Sequence, residues 1–180
     1  MRYSAGRAYW LNFDGAKTME RIPENILRAV MGDEPAPPKK KRNDPAQHWT
    51  PPVLLERGAY LRKLARAGNG SASEVIGEFP QHKAMLSFRA RSGEVEVHDE
   101  WADLFVVLAG MATLVVGGTV TGACVIAPGE TRGESIEGGI HQNLRMGDVV
   151  HVPAGTPHQF LLAGDKTITS LVMKIREVAE

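Results

Sequence analysis

From about residue 72 onward, apolar and polar side chains alternate with a period of two, broken at short intervals by turn signals such as "RSGE", "VGGT", "PAGT" and "LAGD". This alternation constrains the chain more than any other feature. A period of two describes strands with one face buried, and many short strands at regular spacing close into a sandwich or barrel. The pattern predicts strands near 74–79, 84–91, 94–98, 103–109, 112–116, 121–126, 148–153, 157–162 and 167–175, with under a tenth of this region helical. The 180-residue length suits one core. "APGETRGESIEGGIHQNLRMGD", residues 127–148, reads as the one long irregular piece, a loop of the kind that serves as a lid.

The first 50 or so residues look different. "IPENILRAVMG" is a short helix candidate, with Pro23 at its first position and Gly32 as its stop. "DEPAPPKKKRNDPAQ" reads as an exposed linker, and its "PPKKKR" as solvated charge rather than a nuclear signal. In "TPPVLLERGAYLRKLARAG", Thr50 is a candidate N-cap, and Leu54, Gly58, Leu61 and Ala65 share a helical face. Gly68 is placed to end that helix in a left-handed conformation. The organisation expected is therefore an extension and linker over 1–50, then a helix plus barrel over 51–180.

Lys plus Arg number 21 and Asp plus Glu number 21, so formal net charge is zero. That balance argues against a nucleic-acid or membrane-surface binder, both of which need a basic excess. Cys124, the single cysteine, excludes an internal disulfide and reads as a buried thiol. The N-terminus lacks a continuous apolar segment, so no signal peptide and a cytoplasmic location are expected.

The chemistry-bearing residues lie in two stretches. In "EVEVH", Val95 and Val97 take one face while Glu94, Glu96 and His98 take the other. "DLFVVLAG" is apolar on both faces and therefore central, so Asp103 enters a buried strand. A buried carboxylate needs a cation or donors nearby, and Glu96 and His98 are its natural neighbours. In "GDVVHVPAGTPHQF", a strand and a tight turn lead to His158, on the face shared with Phe160 and Leu162 and directed across at His98.

Together these stretches resemble the cupin superfamily. Its second motif, Gly, five residues, then Pro-x-Gly-x-x-His, is met by Gly147, Pro153, Gly155 and His158. In its first motif, His98 falls on the second His, Asp103 on the Glu and Gly110 on the final Gly. Glu96 replaces the first His, Ala90 the opening Gly, and Leu162 the second motif's trailing Asn. The resemblance spans roughly residues 72 to 175. It implies an all-β fold: an antiparallel cupin-type β-barrel (double-stranded β-helix or jelly roll), with an N-terminal extension containing short helices. It also implies a central divalent metal held by Glu96, His98, Asp103 and His158. Two His and two carboxylates suit Fe(II), Mn(II) or Ni(II), with Zn(II) also compatible. Glu96 is then a ligand, a catalytic group that moves a proton, or a relic of a site that binds no metal.

Glu100, His48, His82, His141 and His151 read as surface, loop or packing residues, the alternatives being Glu100 as a substitute carboxylate, His141 as an acid/base at the mouth and His151 as a pocket residue. Trp101 reads as a cover over the barrel end or a substrate stacker, and Arg132 as a solvated loop residue or a contact for an acidic substrate. Two function classes remain open. One is a metal-dependent enzyme of dioxygenase, isomerase or lyase type acting on a small polar metabolite. The other is a non-catalytic module that binds a small ligand. In either class a homodimer is expected, because exposed strand edges need covering.

Overall fold

The computed structural model describes residues 9–12, 19–21 and 46–177. The helix candidate near 22–32 and most of the charged linker lie outside these residues. The described elements are strands β1 (Tyr9–Asn12) and β2 (Met19–Arg21), helix α1 (Pro51–Ala67), and twelve further strands. These are β3 (Ser71–Glu78), β4 (His82–Arg89), β5 (Val95–His98), β6 (Trp101–Val116), β7 (Thr119–Thr121) and β8 (Cys124–Ala127). They continue with β9 (Glu130–Gly133), β10 (Ser135–Glu137), β11 (Ile140–Arg145), β12 (Val149–Val152), β13 (His158–Leu161) and β14 (Ile168–Arg176). No helix occurs between residues 72 and 175, as the period-two pattern predicts.

One antiparallel sheet runs β2-β1-β3-β4-β14-β6-β13-β5-β9-β8, with β11 and β12 also paired to β6; β7 and β10 form a separate ribbon. The period-two region therefore does not stand alone: β1 pairs with β3, and the N-terminal segment extends the sheet.

β6 is the strand to which both halves of the sheet pair. The sequence suggests two strands at 103–109 and 112–116; the structure has one strand of 16 residues. Its first half pairs with β12 and β14, and its second half with β11 and β13. Gly110 marks the change with φ 80°, a left-handed value that side chains disfavour. A Cβ there would collide with the Thr167 carbonyl oxygen.

The supposed irregular stretch 127–148 is also mostly strand: β9, β10 and β11. Ile140 to Asn143 are exposed, so β11 lacks the buried face by which a strand is recognised, and pairing with β6 supplies its order. Cys124 is half-buried rather than buried, because β8 is the sheet's last strand and has a neighbour on one side only.

Two apolar clusters stabilise the fold. The inner one fills the barrel with Phe105, Val107, Leu114, Leu144, Val152, Phe160 and Val172. The outer one packs Leu54, Leu61, Leu64 and Ala65 of α1 on Ala84, Leu86 and Phe88 of β4. Each fully buried Leu contributes ~1.5–3 kcal/mol relative to exposure. Arg57 of α1 also reaches Glu74 of β3 at 2.6 Å in an almost wholly buried ion pair. Gly68 is not left-handed, having φ −111°. Gly70 takes the positive φ of 93° and returns its N–H to the Ala65 carbonyl.

Candidate metal centre

Cross-strand register assembles the site. In β5, Val95 is fully buried, while Glu96 and His98 face the barrel interior. β13 pairs His158 with Glu96, β9 pairs Arg132 with Glu96 and Glu130 with His98, and β14 pairs Lys174 with Asp103. Paired residues of an antiparallel ladder share a face, so these side chains line one cup. The "PAGT" turn is tied to β5 by the Gly155 N–H, which donates to the His98 carbonyl at 2.8 Å and sets the approach of His158.

The four residues singled out from the sequence do come together. His98 Nε2 lies 3.4 Å from Glu96 Oε2 and 3.5 Å from Asp103 Oδ2, and His158 Nε2 lies 3.4 Å from the same Asp103 oxygen. Both rings are held from behind. His98 Nδ1 meets Glu130 Oε2 at 2.6 Å, and His158 Nδ1 meets the Thr156 carbonyl at 3.1 Å. Because both partners are acceptors, each neutral ring carries its proton on Nδ1 and turns the Nε2 lone pair to the centre.

These residues fit a metal. His98 Nε2 is buried and makes no hydrogen bond. Ligand atoms of Glu96, His98 and His158 all lie within 4.8 Å of one another. Donors bound ~2.1 Å from one ion sit about 3.0–3.4 Å apart in octahedral or tetrahedral geometry, close to the 3.4 Å between His98 Nε2 and Glu96 Oε2. Asp103 differs from the other three, since Lys174 Nζ contacts both of its oxygens, at 2.7 and 2.9 Å.

Charges shape the titration. Burial by itself disfavours the imidazolium of His98, but the carboxylates of Asp103, Glu130 and Glu96 outweigh it and push the group up to about 10. Burial works against the Asp103 carboxylate too, yet His158, His98 and Lys174 hold it well below the usual carboxylate range. Glu96 is likewise lowered against its burial, by His98, Arg89 and Arg132, and Glu130 by His98.

Three participants do not stand out in the sequence: Glu130, Lys174 and Arg89. Arg89 holds Glu96 Oε1 at 2.7 Å. The available signal for Lys174 was its spacing, two residues beyond the inward-facing Val172 of the last strand. Arg132 is no solvated loop residue; it lies on β9, 3.3 Å from Glu130 and 3.9 Å from Glu96. Glu100 stays outside, paired with Arg176, and His151 is half exposed near Glu177. His141 is exposed on β11, and His82 stacks on Phe79. Trp101 does not stand alone over the barrel end, for Lys83 Nζ lies 5.4 Å from its ring centre.

No family model and no curated protein matches the chain. Among solved structures it is similar to the polyketide cyclase RemF from Streptomyces resistomycificus, at 16% identity over 61% of this chain and 68% of that one, with TM-score 0.43. It is also similar to a cupin 2 conserved barrel domain protein from Rhodopseudomonas palustris, at 15% identity over 61% of this chain and 65% of that one, with TM-score 0.43. KdgF from Halomonas sp. aligns at 14% identity over 60% of this chain and 82% of that one, with TM-score 0.43. These likenesses lie at the level of the barrel. Within the chain itself, the Gly147–His158 pattern folds as a turn held against His98, and Gly110 bends the strand common to both halves. The described residues fold as the antiparallel barrel that the motif resemblance implies.

Proposed function

We propose that this chain is a divalent-metal-dependent cupin-type enzyme acting on a small polar metabolite, with chemistry of the dioxygenase, isomerase or lyase kind. The buried, unpartnered Nε2 of His98, aimed at Glu96 and Asp103 and close to His158, supports this most directly. Glu96, His98 and His158 would hold the ion, which supplies Lewis acidity toward a carbonyl or enediol oxygen. Glu130 and the Thr156 carbonyl orient the two imidazoles. Arg89 fixes one oxygen of Glu96 and leaves Oε2 for a ligand bond or a proton. Lys174 keeps Asp103 ionised beside both rings. Phe105 packs edge-on against His158 and Phe160, keeping water from the inner side. Fe(II), Mn(II) and Ni(II) suit this donor set, with Zn(II) as a further candidate.

A second reading has its own support. Lys174 contacts both Asp103 oxygens and Arg89 contacts Glu96, so the cup's acids already have cationic partners without a metal. That favours a non-catalytic small-ligand module. Metal analysis of protein purified without added metal separates the two. About one Fe, Mn or Ni per chain supports the enzyme, and a metal-free protein that cannot be loaded refutes it.

A homodimer belongs to the same proposal. Its support is apolar side chains left in water, including Val149 at 61% and Met146 at 70% exposure. A monomer mass by light scattering at micromolar concentration overturns it. Among the described residues no helix is long and apolar enough to cross a membrane. A cytoplasmic location stays part of the proposal, supported by the lone Cys124.

A further inference from the structure

The cup contains more fixed charge than three metal ligands require. Glu96, Asp103 and Glu130 supply three carboxylates, and Arg89, Arg132 and Lys174 supply three cations, with the Lys174–Asp103 pair joined to the others through His98. With neutral imidazoles, these charges sum to zero. Seating a divalent ion on Glu96, His98 and His158 therefore leaves the enclosure with two positive charges in excess. Lys83 at the rim adds to that excess, while Glu100 and Arg176 cancel each other at 2.8 Å. Unbalanced charge in a partly dehydrated enclosure is costly, and an anion entering with the ligand lowers the cost.

The three cations are not equally available. Lys174 is committed to both oxygens of Asp103 at 2.7 and 2.9 Å. Arg89 is held by Glu96 at 2.7 Å, with its guanidinium 5.9 Å from the centre of the Phe160 ring. Arg132 is held loosely: 3.3 Å to Glu130, 3.1 Å to the Thr131 carbonyl and 3.9 Å to Glu96. Its planar fork suits a carboxylate, and it sits directly across the ladder from Glu96. A molecule spanning from the ion to Arg132 need be only a few atoms long.

Resting on the metal reading, we infer that the cup binds a small anionic chelator: a carboxylate with a hydroxyl or carbonyl oxygen on the adjacent carbon, whose carboxylate is received by Arg132. The ligand's charge offsets half of the two-charge excess that the ion brings, and its second oxygen completes the chelate.

The test uses the full chain loaded with Co(II), whose visible spectrum reports ligand binding. Co(II) stoichiometry is measured first. Lactate and propane-1,2-diol are then titrated as a pair that differs in one group, carboxylate against hydroxymethyl. The expected result is tighter binding of lactate by about tenfold or more, the size of a charge-assisted hydrogen bond. In Arg132→Gln that preference collapses by about tenfold while Co(II) stoichiometry is kept, and Arg132→Lys restores part of it. The wild-type comparison needs no variant to fold. A chain that takes up no Co(II) overturns the metal reading and this inference with it. A chain that takes up one Co(II) yet binds both probes equally overturns this inference alone. So does a lactate preference that survives unchanged in a folded Arg132→Gln.

Discussion

Metal uptake at Glu96, His98 and His158 has to displace a proton. In the metal-free site, three carboxylates surround His98 and hold its proton up to a pKa of about 10, against an ordinary value near 6.5. An unperturbed histidine would make metal affinity fade around its ordinary value; the carboxylates around His98 move the transition upward. The pH dependence then takes two opposite signs. Stabilisation of the metal-free fold by the His98 imidazolium is complete below about pH 6.5 and is lost as pH climbs toward the folded value. Between pH 6.5 and 8.5 that loss is at most about 3 kcal/mol, at ~1.36 kcal/mol per unit. Over the same span, apparent Ni(II) affinity rises about tenfold per pH unit, or ~100-fold in total, with about one proton released. Urea denaturation in chelator measures the first trend. Calorimetric titration of Ni(II) in two buffers of different ionisation enthalpy measures the second and counts the proton. Affinity that is flat from pH 7 to 8.5, with no proton released, would refute the reasoning.

The remaining predictions concern single residues. Gly110→Ala should cost at least about 2 kcal/mol in urea denaturation, because positive φ and the Thr167 carbonyl oppose any Cβ. Arg57→Met breaks the buried ion pair with Glu74, so a lower urea midpoint is expected by the same measurement. His98→Ala and His158→Ala should each abolish stoichiometric metal while keeping a β-type circular dichroism spectrum, because the apolar clusters supply the core. Glu96→Gln tells its two roles apart: a ligand loses metal, whereas a proton carrier keeps metal and loses turnover.

The site was legible where the two faces of a strand differ sharply. Glu96 and His98 opposite Val95 and Val97 could be read from alternation, and His158 from the turn before it. Gly110 misled because a glycine that bends a strand looks, in sequence, like one that ends it. Strands β9 to β11 were missed because several of their side chains face water and their order comes from the neighbours they pair with. Lys174 and Glu130 were invisible for a related reason. Each becomes meaningful through a residue far away in sequence, 71 positions in one case and 32 in the other.

The continuity of β6 bears on how the chain reaches this structure. Its first half completes one set of pairings and its second half another, so neither set closes until this one segment is in place. Its partners β13 and β14 come from far later in the chain, and loop-closure entropy must be met before those contacts return anything. Folding should therefore be slow, in the millisecond-to-second range for non-local β topologies, and all-or-none across both halves. A break introduced at Gly110 would leave two fragments, each lacking half of its ladder, and neither would fold until the other arrived.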